Sequence, residues 1–426
     1  MEGQAKIESV AFKGYGVTHI DGKVAFIPYA VTGDEGRVEI VEEKKDYSIG
    51  RLKEITVSSP WRVDPPCPVF GQCGGCQWQH IDYSVQGELK KEILKGILKR
   101  LGRLKEIPPV SMAPSPQPYD YRVRVQLKVK GKAIGYYQER SHKIVDIDHC
   151  PISHPLVNQI IRELREELSL FSRMAEIEIN VSPEEKKGVL LLHHFPFDRQ
   201  RENGLREFFQ VHPIFKGWAI KGKRGLTLFN DPYLHFTISI DRNGGKGNIQ
   251  FRTSPGSFYQ VNPEQNRTLI QKVLQFSDVN EDERVLDLYA GVGNFTLPLA
   301  IKAKEIIGVE ENPTAVADAR FNAERNRIRN FDFIQGRVED VLKHWKRKSP
   351  DLILLDPPRM GCKIALNQMV KLRPKKIVYI SCEPTTLSRD LRLLSEKGYL
   401  LKGLALIDMF PQGYHMEVVA LLKSLC

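Results

Sequence analysis

The sequence predicts an α/β chain with a β-rich front: a small N-terminal β-barrel, an α+β middle, and a C-terminal domain built on a doubly wound parallel sheet. Three observations predict it. Residues 4–58 alternate short apolar runs with turn signals, the spacing of a small barrel. The middle of the chain mixes strictly alternating strand patterns with helical ones. From about residue 251, strand and helix patterns alternate one for one, as a doubly wound sheet requires. The expected domains are 1–60, 61–250 and 251–426, with a helix over 83–105 placed to pack on the last of them.

The 426 residues are enough for two or three domains, and 41% hydrophobic with 27% charged residues is the usual balance of a soluble globular protein. A net charge of +11 and a pI of about 9.1 favour a polyanionic partner. No run of 18 or more apolar residues and no signal-peptide pattern is present, so no membrane contact and a cytoplasmic location are expected. Nothing implies a protein partner, and a monomer is expected.

In the first segment, Val24-Ala25-Phe26-Ile27-Pro28 and Gly36-Arg37-Val38-Glu39-Ile40-Val41 are strand-like, and Asp21-Gly22 is a hairpin turn. The spacing suggests a barrel of oligonucleotide-binding (OB) type.

Seven cysteines, Cys67, Cys73, Cys76, Cys150, Cys362, Cys382 and Cys426, argue for metal-binding or catalytic thiols over a disulfide framework. Cys67-x5-Cys73-x2-Cys76 sits among Gly71, Gly74 and Gly75, which let the backbone fold tightly around an ion or cluster, and Cys150 follows far downstream. Four thiolates suit zinc or an iron–sulfur cluster; the x5 gap leans away from the paired knuckles common in zinc sites. The C-x3-C-x2-C spacing of radical S-adenosylmethionine enzymes is absent.

Val85, Leu89, Ile93, Ile97 and Leu101 recur at helical spacing on a segment bearing Lys90, Lys91, Lys95, Lys99, Arg100 and Arg103, a solvated face or one that follows phosphates. The prolines at 108–118 read as a linker. Residues 121–129 alternate as a half-buried strand that puts Arg122, Arg124, Gln126 and Lys128 on one face, near Tyr121, Tyr136 and Tyr137. One helix, over 155–172, and several strands are expected before residue 245.

Within the last domain, Arg284-Val285-Leu286-Asp287-Leu288-Tyr289-Ala290-Gly291-Val292-Gly293-Asn294 reads as a strand and a glycine turn. Thr296 replaces the third glycine of a dinucleotide fingerprint, which disfavours NAD. The next strand ends in Glu310, where an acid binds ribose hydroxyls. A further strand, 351–355, ends in Asp356-Pro357-Pro358-Arg359. The apolar run Ile377-Val378-Tyr379-Ile380 then leads into Ser381-Cys382-Glu383-Pro384-Thr385-Thr386, with Pro384 ending the strand and Thr385 or Thr386 capping a helix that starts near Leu387. Cys382 thus falls where a strand's carboxyl end opens onto a ligand crevice. Alone it would be a small buried hydrophobe; a thiol so placed, once ionised, also attacks electron-poor carbon.

Together these segments resemble the TRAM-domain, iron–sulfur RNA uracil-C5 methyltransferases, which form 5-methyluridine in 23S rRNA or tRNA. The resemblance spans nearly the whole chain: residues 67–80 and 121–124, Ser254-Pro255-Gly256-Ser257-Phe258-Tyr259-Gln260-Val261-Asn262, residues 287–295, 356–361 and 381–390, Asp408-Met409-Phe410-Pro411, and His415-Met416-Glu417. It implies an N-terminal OB-like TRAM barrel, a central domain with a 4Fe–4S site, and a class I (Rossmann-like) methyltransferase domain. By the same resemblance Cys382 is the nucleophile and Glu417 the proton acceptor. Gln260, Tyr289, Asn294, Glu310 and Asp356 would contact S-adenosylmethionine or line the site, and Cys67, Cys73, Cys76 and Cys150 would hold the cluster. Gln412-Gly413-Tyr414 departs from the family, which usually has threonine beside the histidine. The expected chemistry is addition of Cys382 to carbon 6 of a flipped-out uracil, methylation at carbon 5 and proton removal by Glu417. The RNA expected is 23S rRNA, with tRNA uridine 54 as the alternative. A non-catalytic RNA-binding protein is the competing class.

Overall fold

A computed structural model describes residues 2–171, 176–193, 199–223, 225–242 and 245–425; Cys426 and Ser172, the last residue of the helix expected over 155–172, lie outside them. The first segment forms a six-stranded sheet coiled around Ile7, Ala25, Ile27, Ala30 and Val38. Its hairpin Tyr15–Ile20/Lys23–Pro28 turns at Asp21 and Gly22, with φ of 50° and 76°, the pair of left-handed residues that a tight turn between twisted strands demands. Asp34 fastens the exit of this unit: it accepts from the Val31 and Ser59 amides and pairs with Arg62 at 2.5 Å.

The central sheet runs Ile144–Asp146, Ala133–Tyr137, Arg124–Lys130, Glu176–Ser182, Lys187–His193, Phe215–Gly222, Gly225–Asn230. Its core joins Val123, Val125, Leu127 and Ile179 to Ile160, Ile161 and Leu164 of the helix Pro155–Glu166. The sequence pointed to one helix here. A second, Arg199–Val211, contributes Leu205, Phe208 and Phe209 to the same core; its charged positions hide a short apolar stripe.

The C-terminal sheet has eight strands in the order Phe331–Gln335, Glu305–Glu310, Arg284–Leu288, Leu352–Leu355, Lys376–Ser381, Glu417–Ser424, Tyr399–Ile407, Val110–Ala113. The five strands from Phe331–Gln335 to Lys376–Ser381 run parallel, and Glu417–Ser424 lies antiparallel to both its neighbours. The order reverses beside Arg284–Leu288, which opens a crevice at the carboxyl ends of the strands.

Two corrections concern the region before residue 251. The proline-rich stretch expected to be a linker contains the edge strand Val110–Ala113, parallel to Tyr399–Ile407; prolines on either side of a strand are tolerated at a sheet edge. The helix Tyr83–Arg100 packs its apolar stripe on the C-terminal core as expected, but its lysines do not all face solvent. It buries Gln86, Lys90, Ile93, Leu94, Ile97 and Leu98, the last four in one core with Tyr379, Leu387 and Leu391. The hairpin Leu234–Arg242/Gly245–Thr253 likewise packs Ile238, Ile249 and Phe251 against Leu269 and Val273 of the C-terminal core.

Candidate active site

Cys382 lies between the buried strand Lys376–Ser381 and the helix Pro384–Ser395. The helix starts three residues earlier than expected: Pro384 takes its first turn, and Glu383, not a threonine, is the cap, accepting from the Thr385 amide at 3.4 Å and the Thr385 hydroxyl at 2.6 Å.

Glu417 opens the neighbouring antiparallel strand, in which Val418 pairs with Ser381, and on the other side Leu355, just before Asp356, pairs with Tyr379. Three adjacent strand ends therefore bring Asp356, Cys382 and Glu417 together. Burial, then the charges of Glu417 and Asp356, push the Cys382 thiol up to about 12, while Arg359 opposes them. Glu417, buried at 3% exposure, is held well above the carboxylate range by burial and then by Asp356. Asp356 is raised to about 7 by burial and then by Glu310. Arg359 reaches His415 at 3.5 Å, and burial followed by the Arg359 charge keeps His415 neutral, lowered to about 3.

On the adjoining side, Glu310 accepts from the Gly291 amide at 3.0 Å and the Asn312 amide at 2.8 Å, which fixes the glycine turn against the strand end. Tyr289 and Gly291 take positive φ, 67° and 55°, and no atom lies within 4 Å of where a Gly291 side chain would begin. The open face leaves room for a ligand against the backbone. Asp287 is fully buried; it accepts from the Thr296 hydroxyl at 2.5 Å, and its other oxygen has no partner. Burial raises it to about 8. Asn294 and Asn266 exchange reciprocal 2.9 Å bonds. Buried Gln260 and Asn266 line a cavity of about 250 Å³ whose walls include none of Tyr289, Glu310 or Asp356. An open backbone cradle beside an unpaired acid and further carboxylates fits a ribose-bearing, positively charged ligand such as S-adenosylmethionine.

Cys67, Cys73, Cys76 and Cys150 line one cavity of about 470 Å³, which also takes in Arg122, Phe258, Arg359 and His415. Asn158 locks the Cys150 loop by accepting from its amide at 2.9 Å and donating to its carbonyl at 3.1 Å. Burial pushes the Cys73 thiol to about 11 and the Cys76 thiol to about 12. Among the described residues no three His, Cys, Asp or Glu are arranged to hold one metal ion. Four thiols lining one cavity are the donor set that a zinc ion or an iron–sulfur cluster takes.

Sequence reasoning missed the support behind the Glu417 strand. Fully buried Lys90 donates to Asp408 at 2.6 Å and to the Phe410 carbonyl at 3.0 Å. Tyr83 donates to Asp408 at 2.8 Å, and Gln86 and Gln412 bond each other twice. The amides of Gln77 and Trp78, just past Cys76, both donate to the Gln412 carbonyl. The available signal was the register of Gln86 and Lys90 with Ile93 and Ile97 on one helix face.

Sheet order, glycine turn and strand-end acids define the class: a methyltransferase fold with an N-terminal β domain. The tRNA (uracil-5-)-methyltransferase family model matches residues 82–425. A 23S rRNA (uracil(1939)-C(5))-methyltransferase of Pectobacterium atrosepticum is 34% identical, over 96% of this chain and 90% of the relative. An uncharacterized RNA methyltransferase of Halalkalibacterium halodurans is 34% identical over 99% and 96%. The crystal structure of Pyrococcus abyssi tRNA (uracil-54, C5)-methyltransferase with S-adenosyl-L-homocysteine superposes with a TM-score of 0.76 at 26% identity, over 98% of this chain and 99% of that one. The chain belongs to the tRNA (uracil-5-)-methyltransferase family, and it is an RNA (uracil-C5)-methyltransferase. Among the described residues no helix is long and apolar enough to cross a membrane.

Proposed function

We propose that the protein forms 5-methyluridine at one uridine of large-subunit rRNA through a transient bond between Cys382 and carbon 6 of the base. The observation that carries this reading is the meeting of Cys382, Glu417 and Asp356 at three neighbouring strand ends beside Arg359. Carbon 5 of uracil is too weak a nucleophile to take a methyl group unaided. As the Cys382 sulfur bonds carbon 6, the ring double bond shifts its electrons toward the carbonyl at carbon 4, and carbon 5 becomes enolate-like. S-adenosylmethionine supplies the electrophilic methyl group. Glu417 then takes the proton from carbon 5, the double bond re-forms, and Cys382 leaves as thiolate. Asp356 and Arg359 hold the uracil edge and the charge that develops on it. Gln260, Tyr289, Asn294 and Glu310 would contact the cofactor.

Cys67, Cys73, Cys76 and Cys150 would hold a 4Fe–4S cluster, a closed four-thiolate site that orders the RNA-facing loops. The rRNA assignment is supported by the 34% identity to a 23S rRNA enzyme over nearly the full chain. Uridine 54 of tRNA is the second reading, supported by the likeness to the archaeal tRNA enzyme.

Cys382→Ala should abolish methyl transfer and leave RNA affinity within about twofold. RNA carrying 5-fluorouridine should trap a denaturation-resistant adduct with the wild-type protein alone. A Cys382→Ala protein that still methylates at the wild-type rate would end the covalent mechanism.

A further inference from the structure

The two most exposed large apolar side chains of the described molecule, Met360 at 81% and Ile364 at 72%, stand four residues apart beside the catalytic residues. Met360 follows Arg359, whose side chain lines the cleft with His415. Its backbone is nonetheless held firmly. Arg389 donates to the Met360 carbonyl at 2.9 Å, Thr386 to the Arg359 carbonyl at 3.0 Å, and the Cys362 amide to Asp390 at 2.9 Å. Gly361 turns with φ of 75°, and a side chain there would come within 2.5 Å of Asp390. The residues that clamp the turn all belong to Pro384–Ser395, the helix that begins two residues after Cys382. A bare methionine is thus fixed at a set place relative to the nucleophile, among the cations Arg359, Lys363 and Arg389.

We propose that Met360, backed by Ile364, is the apolar wedge that stacks on the base next to the target uridine and fills the gap that the uridine leaves. This rests on the function proposed above. Extruding a base from a structured RNA loses stacking and pairing, and nucleic-acid-binding proteins offset such unstacking with inserted apolar side chains, methionine among them. The unbranched, polarisable thioether adapts to a base face of any identity. The occupant of this patch is a nucleobase, because Met360 adjoins Arg359, which bears directly on Cys382, and the patch is flanked by positive charge.

The test compares Met360→Ala and Met360→Leu with wild type on the unmodified transcript that the wild-type enzyme methylates. That RNA is used as a folded hairpin, with 2-aminopurine beside the target uridine, and as an unstructured oligonucleotide of the same sequence. The expected result for Met360→Ala is a fall in kcat/KM of about tenfold or more on the hairpin, less than twofold on the oligonucleotide, and unchanged S-adenosylmethionine affinity. The 2-aminopurine signal on binding should change accordingly, and Met360→Leu should restore most of the activity. Equal losses on both RNAs would reduce Met360 to a general structural role, and no loss on either would assign the patch to another macromolecule; both overturn the wedge. If the wild-type protein methylates carbon 5 of no uridine, the underlying function falls first and is recognised by that failure.

Discussion

Cys382 is a poor nucleophile in its protein surroundings alone. Burial and two neighbouring acids hold its thiol near 12, so at neutral pH it is almost wholly protonated. Glu417 is raised well above the carboxylate range, first by burial and then by Asp356. One positive charge moves both groups in the productive direction, because a cation favours thiolate and carboxylate alike. Iodoacetamide should therefore alkylate Cys382 faster as pH rises, close to tenfold per unit below 12, in a rate measured by intact mass. With cofactors bound, S-adenosylmethionine should give a rate about tenfold above that with S-adenosylhomocysteine, which matches it in shape but lacks the charge, a difference of about one pKa unit. Identical rates would mean that the sulfonium leaves the thiol unaffected. In the sequence, strand ends announce the candidate positions: Cys382, Glu310 and Asp356 each follow an apolar run. Lys90 was not legible there, because a lysine in a lysine-rich helix looks solvated until its partner, Asp408, more than 300 residues away, is known.

At the scale of elements, the helix Tyr83–Arg100 holds the approach to the Glu417 strand. Lys90, Gln86 and Tyr83 all bond the segment from Asp408 to Gln412, where Gln412 is kept at a φ of 66° that only an over-determined loop sustains. Removing one member of a buried ion pair strands the other charge. Lys90→Met should therefore destabilise the protein by about 3–5 kcal/mol, read from urea unfolding, and lower kcat more than it weakens S-adenosylmethionine binding. A Lys90→Met protein of unchanged stability and kcat would remove this support role. The parallel strands were legible from their apolar runs. Val110–Ala113 and Phe331–Gln335 were not, the first because only four residues lie between prolines and the second because its apolar run is short and lies at the sheet edge.

At the scale of the molecule, the cysteine-lined cavity takes in Arg359 and His415, and the chain just past Cys76 is hydrogen-bonded to Gln412. Anaerobic purification should give a brown protein with iron and sulfide near four of each per chain; stoichiometric zinc would refute the cluster. Stripping the iron should weaken RNA binding and lower turnover while S-adenosylmethionine binding persists, as followed by calorimetry. The packing of the helix Tyr83–Arg100 on the C-terminal core was expected from the sequence, but the return of Val110–Ala113 to the C-terminal sheet was not, since periodicity reports an element's own face and never its distant partner.

The strand Val110–Ala113 fixes the order in which the chain is completed. During synthesis it emerges roughly 290 residues ahead of Leu404 and its neighbours, so it must wait, unpaired, while almost everything else is made. The barrel and the central sheet can close early, but the catalytic sheet gains its last edge only when both ends of the polypeptide are present. A fragment starting at residue 251 would expose the bare hydrogen-bonding edge of Tyr399–Ile407 to any passing strand and aggregate. The C-terminal sheet of this chain is completed by a strand that precedes it by more than a hundred residues.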